Sequence, residues 1–265
     1  MLQTKDVMSN CYKNFPVIVN YSNSTTDTIY SNSASLSENL NIEHAKSLGI
    51  KGSNAVFIKT LTQGELSVDS YLFDDLGIFH NLKGLNDQEI TLQFGPYSCP
   101  APCVLSSMSV NISVEEPITV SRSFNYFGGV TGTTSPTPTN PTLSPVIPEN
   151  IVLNGFDNLG ALDNITSITW TFSQSYQEYY LLGESVPKIA FTDGQITMNI
   201  DGEGIADPLI TENCISEPND YEIEVYGCGG DNLGSLSITG HLQARTSSVA
   251  SDDDEQNSVS IIQYL

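Results

Sequence analysis

With 265 residues, 13 prolines, 20 glycines and only 15% charged side chains, the chain has the make-up of a protein of short strands and frequent turns, long enough for one or two β domains. Its hydrophobic fraction of 39%, including 12 Tyr and 10 Phe, excludes disorder throughout, because it is enough to close a core in each half. A net charge of −22 with only 9 Lys and Arg excludes tight binding of nucleic acid, since affinity for phosphate backbones comes from cations that displace counterions.

Residues 1–33 read as an N-terminal arm or edge strand, with a strand-like patch from Phe15 to Tyr21 in a context rich in Ser, Thr and Asn. Beyond it, Leu36, Leu40 and Ile42 alternate with polar residues, and the half-buried strand pattern continues through Ala55–Lys59 and Gly64–Leu72. Between them, Asn41–Gly49 has a mixed period that predicts a short helix stopped at Gly49.

Segments of the first half recur in the second in the same order. Gly64–Asp69 (GELSVD) matches Gly194–Asn199 (GQITMN), and Asn86–Leu92 (NDQEITL) matches Asn219–Val225 (NDYEIEV) with Asn, Asp, Glu and Ile at the same offsets. Met108, Val110, Ile112 and Val114 parallel Leu236, Ile238, Gly240 and Leu242 as alternating strands. Each of these strands runs into an acidic turn, at Glu115 and Glu116 in the first half and at Asp252, Asp253, Asp254 and Glu255 in the second. Val120–Phe127 (VSRSFNYF) then resembles Val259–Leu265 (VSIIQYL) after one deletion. Upstream, Leu40 and Ile42 stand at the same offset from the Gly-led strand as Trp170 and Phe172. The reading is an arm over 1–33, a β domain over 34–127, a Pro- and Thr-rich linker over 128–161 and a second β domain over 162–265. Repeated prolines in the linker cannot donate to a ladder and favour extended, solvated backbone.

Catalytic constellations are not evident. His44, His80 and His241 lie in unrelated contexts, without the paired spacing or nearby Glu of a zinc hydrolase helix, and read as structural. Cys11, Cys99, Cys103, Cys214 and Cys228 are odd in number, which fits free thiols in a reducing compartment. A Cys99–Cys103 disulfide and a four-thiolate zinc site with Cys214 and Cys228 are the minor alternatives. Gly227–Gly230 and Gly128–Gly129 lack the Lys and the strand-to-helix context of a phosphate loop, and read as turns. The run Asp252–Glu255 lacks the alternating spacing of a calcium loop. No cofactor and no metal is expected. No apolar stretch reaches the roughly twenty residues that span a bilayer, and Met1–Asn10 lacks a basic region followed by an apolar one, so neither membrane insertion nor secretion is expected.

The repeated pattern, with its acidic turn after SVNISVEEP and its Gly-led strands GELSVDSYL and GQITMNID, resembles the tail tube proteins of long-tailed bacteriophages over residues 34–127 and 162–265. The resemblance implies an all-β fold with at most one short helix per domain, two tandem sandwich- or barrel-like tube domains, and no enzymatic activity. It further implies self-association into a trimeric ring of pseudo-sixfold symmetry, with rings stacked into a tube in the virion tail after assembly in the host cytoplasm. Partners would be other copies of the chain and tail proteins such as sheath, baseplate or terminator, with DNA passing an acidic lumen without specific binding. Glu115, Glu116 and Asp252–Glu255 are then candidates for contacts between subunits. The alternatives are a baseplate hub or tube initiator that forms a single ring, and a cell-surface adhesin or surface-layer module.

Overall fold

The computed structural model describes residues 16–21, 26–39, 42–45, 55–58, 63–73, 90–114, 116–132, 145–156, 165–184, 186–203, 218–227, 230–248 and 256–265. Among them the chain is all-β. Its strands are β1 (Val17–Asn20), β2 (Thr26–Ile29), β3 (Ser31–Asn39), β4 (Ile42–Ala45), β5 (Ala55–Ile58), β6 (Gln63–Tyr71), β7 (Ile90–Phe94), β8 (Tyr97–Ser113), β9 (Glu116–Phe127) and β10 (Thr131–Gly132). After a single 3-10 turn at Pro148–Asn150 come β11 (Ile151–Asn154), β12 (Ile165–Tyr179), β13 (Lys188–Glu203), β14 (Asn219–Tyr226), β15 (Asn232–Ser248) and β16 (Gln256–Tyr264).

All strands but β4 and β5 join one antiparallel sheet, which is not closed into a barrel. The first half contributes the order β3-β6-β9-β8-β7-β1-β2 and the second the order β12-β13-β16-β15-β14-β11. Up to β1 and β11 the same order is thus built twice from strands in the same sequence along the chain, and among the described residues β2 has no counterpart in the second half. The two runs meet where β12 pairs with β8, from Ser173 opposite Ser107 to Ser167 opposite Ser113. Along the other edge of β8 runs β9, from Cys103 opposite Tyr126 to Ser113 opposite Glu116. β7 takes the lower part of the β12 edge, with Ile90 opposite Cys103.

The ladder registers fix which residues of the halves correspond. In β6 Ser70 lies opposite Val120, and in β13 Ile200 lies opposite Val259. The Gly64/Gly194 match and the Val120/Val259 match are therefore consistent with each other across the ladder. Elsewhere the offsets shift. Leu36 lies opposite Leu66 as Phe172 lies opposite Ile196, and Ala34 lies opposite Val68 as Trp170 lies opposite Met198. The counterparts of Trp170 and Phe172 are Ala34 and Leu36, not Leu40 and Ile42, because a longer segment that includes the β4–β5 hairpin is inserted after β3. Likewise Met108 lies opposite Arg122 and Leu242 opposite Ile261, so Met108 corresponds to Leu242 rather than Leu236. Periodicity alone cannot see this, since a six-residue slip preserves a two-residue alternation.

The helix expected over Asn41–Gly49 is not formed at Ile42–Ala45, which pairs with Ala55–Ile58 as a strand; the remaining residues of that span lie outside the described ones. Of the expected N-terminal arm over 1–33, the strands among the described residues belong to the sheet, and β1 is an inner strand between β2 and β7, with Val17 and Val19 fully buried; residues 1–15 lie outside the described ones. Both flanks of the expected linker are also tied down. Thr131 pairs with Ser98, the Val146 N–H donates to the Leu72 carbonyl while the Val146 carbonyl accepts from the Ile118 N–H, and Ile151–Asn154 pairs with β14. One apolar cluster runs through both halves, from Val17 and Leu92 through Phe124 and Trp170 to Ile223 and Ile261. Its driving force is the burial of one face of each alternating strand, at roughly 25 cal/mol per Å².

The glycine that leads β6 has a reason. A Cβ on Gly64 would run into the Tyr126 ring and the Ser37 carbonyl. The ring crosses the strand there so that the Tyr126 hydroxyl donates to Ser37 O at 2.7 Å, tying β9 to β3 across β6. In the second half, Leu265 covers Gly194 in a looser version of the same contact.

Candidate functional site

Alternation in the long strands sends apolar side chains to the core and hydroxyls and amides to the opposite face. From β3 across to β13 this outward face is continuous, and on β16 it gives way to Ile262 and Tyr264 opposite Thr197 and Gln195. One row reads Ser33, Asp69, Ser121, Ser109, Thr171 and Thr197 through opposed positions of β3, β6, β9, β8, β12 and β13. The next reads Ser35, Ser67, Ser123, Ser107, Ser173 and Gln195. Carboxylates punctuate the rows and are held by neighbouring hydroxyls. Ser123 Oγ donates to Glu65 at 2.6 Å, Ser33 Oγ to Asp69 at 2.8 Å, and Ser167 Oγ to Asp201 at 2.9 Å. The seam is part of the same surface, where Thr169 Oγ1 donates to Asn111 Oδ1 at 3.2 Å. Below it, the buried Gln174 amide donates to the Leu105 carbonyl. Arg122 does not offset the acids of this face, because it points inward at 7% exposure, with Nη1 donating to Ser70 Oγ at 2.9 Å.

The two ends of the sheet differ. The β8–β9 and β15–β16 turns lie at the same end, since β8 and β15 hold corresponding places in the order and run the same way relative to their neighbours. Glu116 is exposed there, opposite Ser113. Glu115 and Asp252–Glu255 lie outside the described residues, although Ser248 and Gln256, which flank the second turn, are paired as a hairpin requires. At the opposite end the β12–β13 hairpin leaves the edge of β8 and packs on the first half, where Gln63 Nε2 donates to Glu178 at 2.6 Å and to the Tyr180 hydroxyl at 3.2 Å and the Phe127 and Tyr176 rings meet edge to face with centroids 5.7 Å apart. β8 follows β12 only to Ser173 and β16 follows β13 only to Gln195, yet β12 and β13 stay paired to Tyr179 and Lys188. The hairpin tip exposes Tyr179, Tyr180, Leu181 and Leu182, with Leu182 fully in solvent. Sequence reading missed this tip; its signal was an apolar YYLL run ahead of Gly183 between two long alternating segments.

No family model and no curated protein matches this chain.

The remaining candidates disperse. His44 lies in β4 and His241 in β15, while His80 lies outside the described residues. Cys99 and Cys103 are free thiols buried in β8, not a disulfide; Cys214 and Cys228 lie outside the described residues. Cys103 Sγ donates to the carbonyls of Pro100 (3.2 Å) and Cys99 (3.6 Å). Burial, reinforced by the charge of Glu38, pushes the Cys99 thiol up from 9.0 to about 12. Burial, with Cys99 adding to it, also raises Cys103. Both therefore stay protonated at neutral pH and pack as core, the opposite of an activated nucleophile. Gly128 and Gly230 have φ of 116° and 82°. The second closes a turn in which Gly230 N donates to Gly227 O at 2.9 Å.

Proposed function

We propose that this chain is a non-enzymatic virion protein that assembles into the stacked rings of a phage tail tube, with its hydroxyl-rich acidic sheet face lining the lumen. The observation that carries the reading is the doubled strand order joined through β8 and β12. We take it as one module copied within the chain, so that one molecule supplies two consecutive places of a ring. A trimer then has pseudo-sixfold symmetry.

The outward face suits a conduit for a polyanion. Hydroxyls wet the wall, while Glu65, Asp69 and Asp201 repel phosphate, so DNA would pass without being held. Sheath, baseplate and terminator proteins are the partners expected at the outer wall and the two ends.

Negative-stain electron microscopy of the purified chain tests this. Long hollow tubes are expected. Isolated rings that never stack would favour the hub or initiator reading, and monomers at every concentration would overturn both. In tubes, Glu65→Lys with Asp69→Lys and Asp201→Lys is expected to convert a wall that ignores DNA into one that retains it at low salt. If DNA retention is unchanged, this face does not line the channel.

A further inference from the structure

We infer that Asn154 and Gly155, at the end of β11, form a self-modifying site: the Gly155 backbone nitrogen displaces ammonia from the Asn154 side chain, and the resulting succinimide opens in water to aspartate and isoaspartate. The reaction needs only water and hydroxide, and it is independent of the assembly reading above.

Both reacting groups are unheld. Asn154 and Gly155 are exposed, and neither the Asn154 side-chain amide nor the Gly155 N–H has a hydrogen-bond partner among the described residues. With no Cβ beside it, the Gly155 nitrogen is open to Cγ of Asn154. Close packing is what requires a glycine here, since its φ is 83° and a Cβ would run into the Asp220 carbonyl oxygen of the neighbouring strand. The fold thus fixes the one following residue that leaves the asparagine amide most open to attack.

In the strand Asn154 is extended, and the attack needs its ψ to rotate. That opens a single rung, because Asn154 opposite Glu222 is the last pair of β11, and among the described residues β11 pairs with β14 alone. Terminal rungs lie at the low end of local opening free energies. The Asp-Gly pairs of β13 have the chemistry to close the same ring but stand inside ladders, with Asp193 and Gly194 opposite Ser175 and Gln174, and Asp201 and Gly202 opposite Ser258 and Asn257.

Hydroxide takes the Gly155 N–H proton, the nitrogen bonds to Cγ, and the Cγ–Nδ2 bond breaks; ammonia leaves with a proton from water, which regenerates hydroxide. Water then opens the ring at Cγ to give aspartate, or at the backbone carbonyl to leave the chain linked through Cγ as isoaspartate, with one extra backbone atom. Either product sets a carboxylate opposite Glu222, and like charges on opposed rungs destabilise an antiparallel pair. Isoaspartate also lengthens the backbone between β11 and Phe156, whose buried ring meets Tyr221 edge to face with centroids 5.4 Å apart. The modification therefore loosens β11.

Ageing the purified full chain at mildly alkaline pH, followed by peptide mass mapping, tests the site. Ammonia loss at Asn154 is expected to run at least about tenfold faster than at any other asparagine of the described residues, and within about tenfold of its own rate in the urea-unfolded chain. A native rate below either bound overturns the assignment. Fragmentation that separates the two products should find isoaspartate in excess; aspartate alone would mean direct hydrolysis of the side chain and overturn the succinimide. Hydrogen exchange reads the consequence. In modified molecules the Ile151–Asn154 amides are expected to exchange at least about tenfold faster than in fresh ones, while Asn154→Gln, aged alongside, keeps the fresh rate. Equal exchange in modified and fresh molecules would overturn the loosening.

Discussion

β12 and β3 hold the same place in the two strand orders, yet among the described residues β12 pairs with both β8 and β13 while β3 pairs with β6 alone. Their inward residues differ accordingly. β12 carries Trp170 and Phe172, both fully buried, where β3 carries Ala34 and Leu36, both half-buried. The seam strand is thus built like core, while β3 is small, hydroxyl-rich and only mildly apolar. Small and hydroxylated side chains suit a strand whose inward face is only partly withdrawn from water.

The largest test of this contrast is Trp170→Ala, which should cost about 3–5 kcal/mol by urea denaturation, because it removes a fully buried indole and leaves a cavity beside the seam. Leaving stability nearly unchanged would mean that the seam is not core. Gly64→Ala should cost about 1–3 kcal/mol, since the new methyl meets the Tyr126 ring and the Ser37 carbonyl at the base of β3. A neutral result would show that β3 is not held against β6 and β9 by that crossing.

Alkaline pH probes the buried thiols near β3. Cys99 binds its proton more tightly folded than unfolded, so its contribution is complete below pH 9.0 and is lost as pH rises toward about 12. Stability should fall across that window at up to about 1.4 kcal/mol per pH unit for this group. Cys99→Ala should flatten the slope, measured as urea midpoints at stepped pH, and an unaltered slope would mean that the thiol is not shielded. Smallest is Leu36→Ala, expected to cost about 1 kcal/mol in the dissociated chain, because the side chain is only partly withdrawn from water. Phe172→Ala, at the corresponding rung of β12, should cost about 3–5 kcal/mol by the same measurement, and equal effects would erase the distinction between edge and seam.

Several features were legible in the residues themselves. Val110, Ile112, Val120 and Phe124 alternate with Ser and Asn, and the strands that carry them form where that alternation lies. The glycine leading β6 and the Val-Ser that precedes Arg122 and Ile261 were sufficient to identify matching strands in the two halves. The first and fourth strands of the orders were not, because their alternation is unchanged by an even slip and only opposed partners such as Leu36 with Leu66 fix the rung. Val17 and Val19 looked like an arm because nothing local indicates that β7, more than seventy residues on, will cover them. The turn of the β12–β13 hairpin away from β8 was invisible for the same reason, since β7 takes that edge of β8 and Gln63 and Phe127 meet Glu178 and Tyr176.

By itself the sequence determined the chemistry of each strand: which face is apolar, which is hydroxylated and acidic, where turns fall, and that segments recur in order. Those properties are local, set by side-chain type at a two-residue period. Only the tertiary structure decided which strands lie side by side and that the halves share one sheet and one core. Pairing is a long-range choice among many strands of similar pattern, settled by the ladder in which every apolar face is buried together.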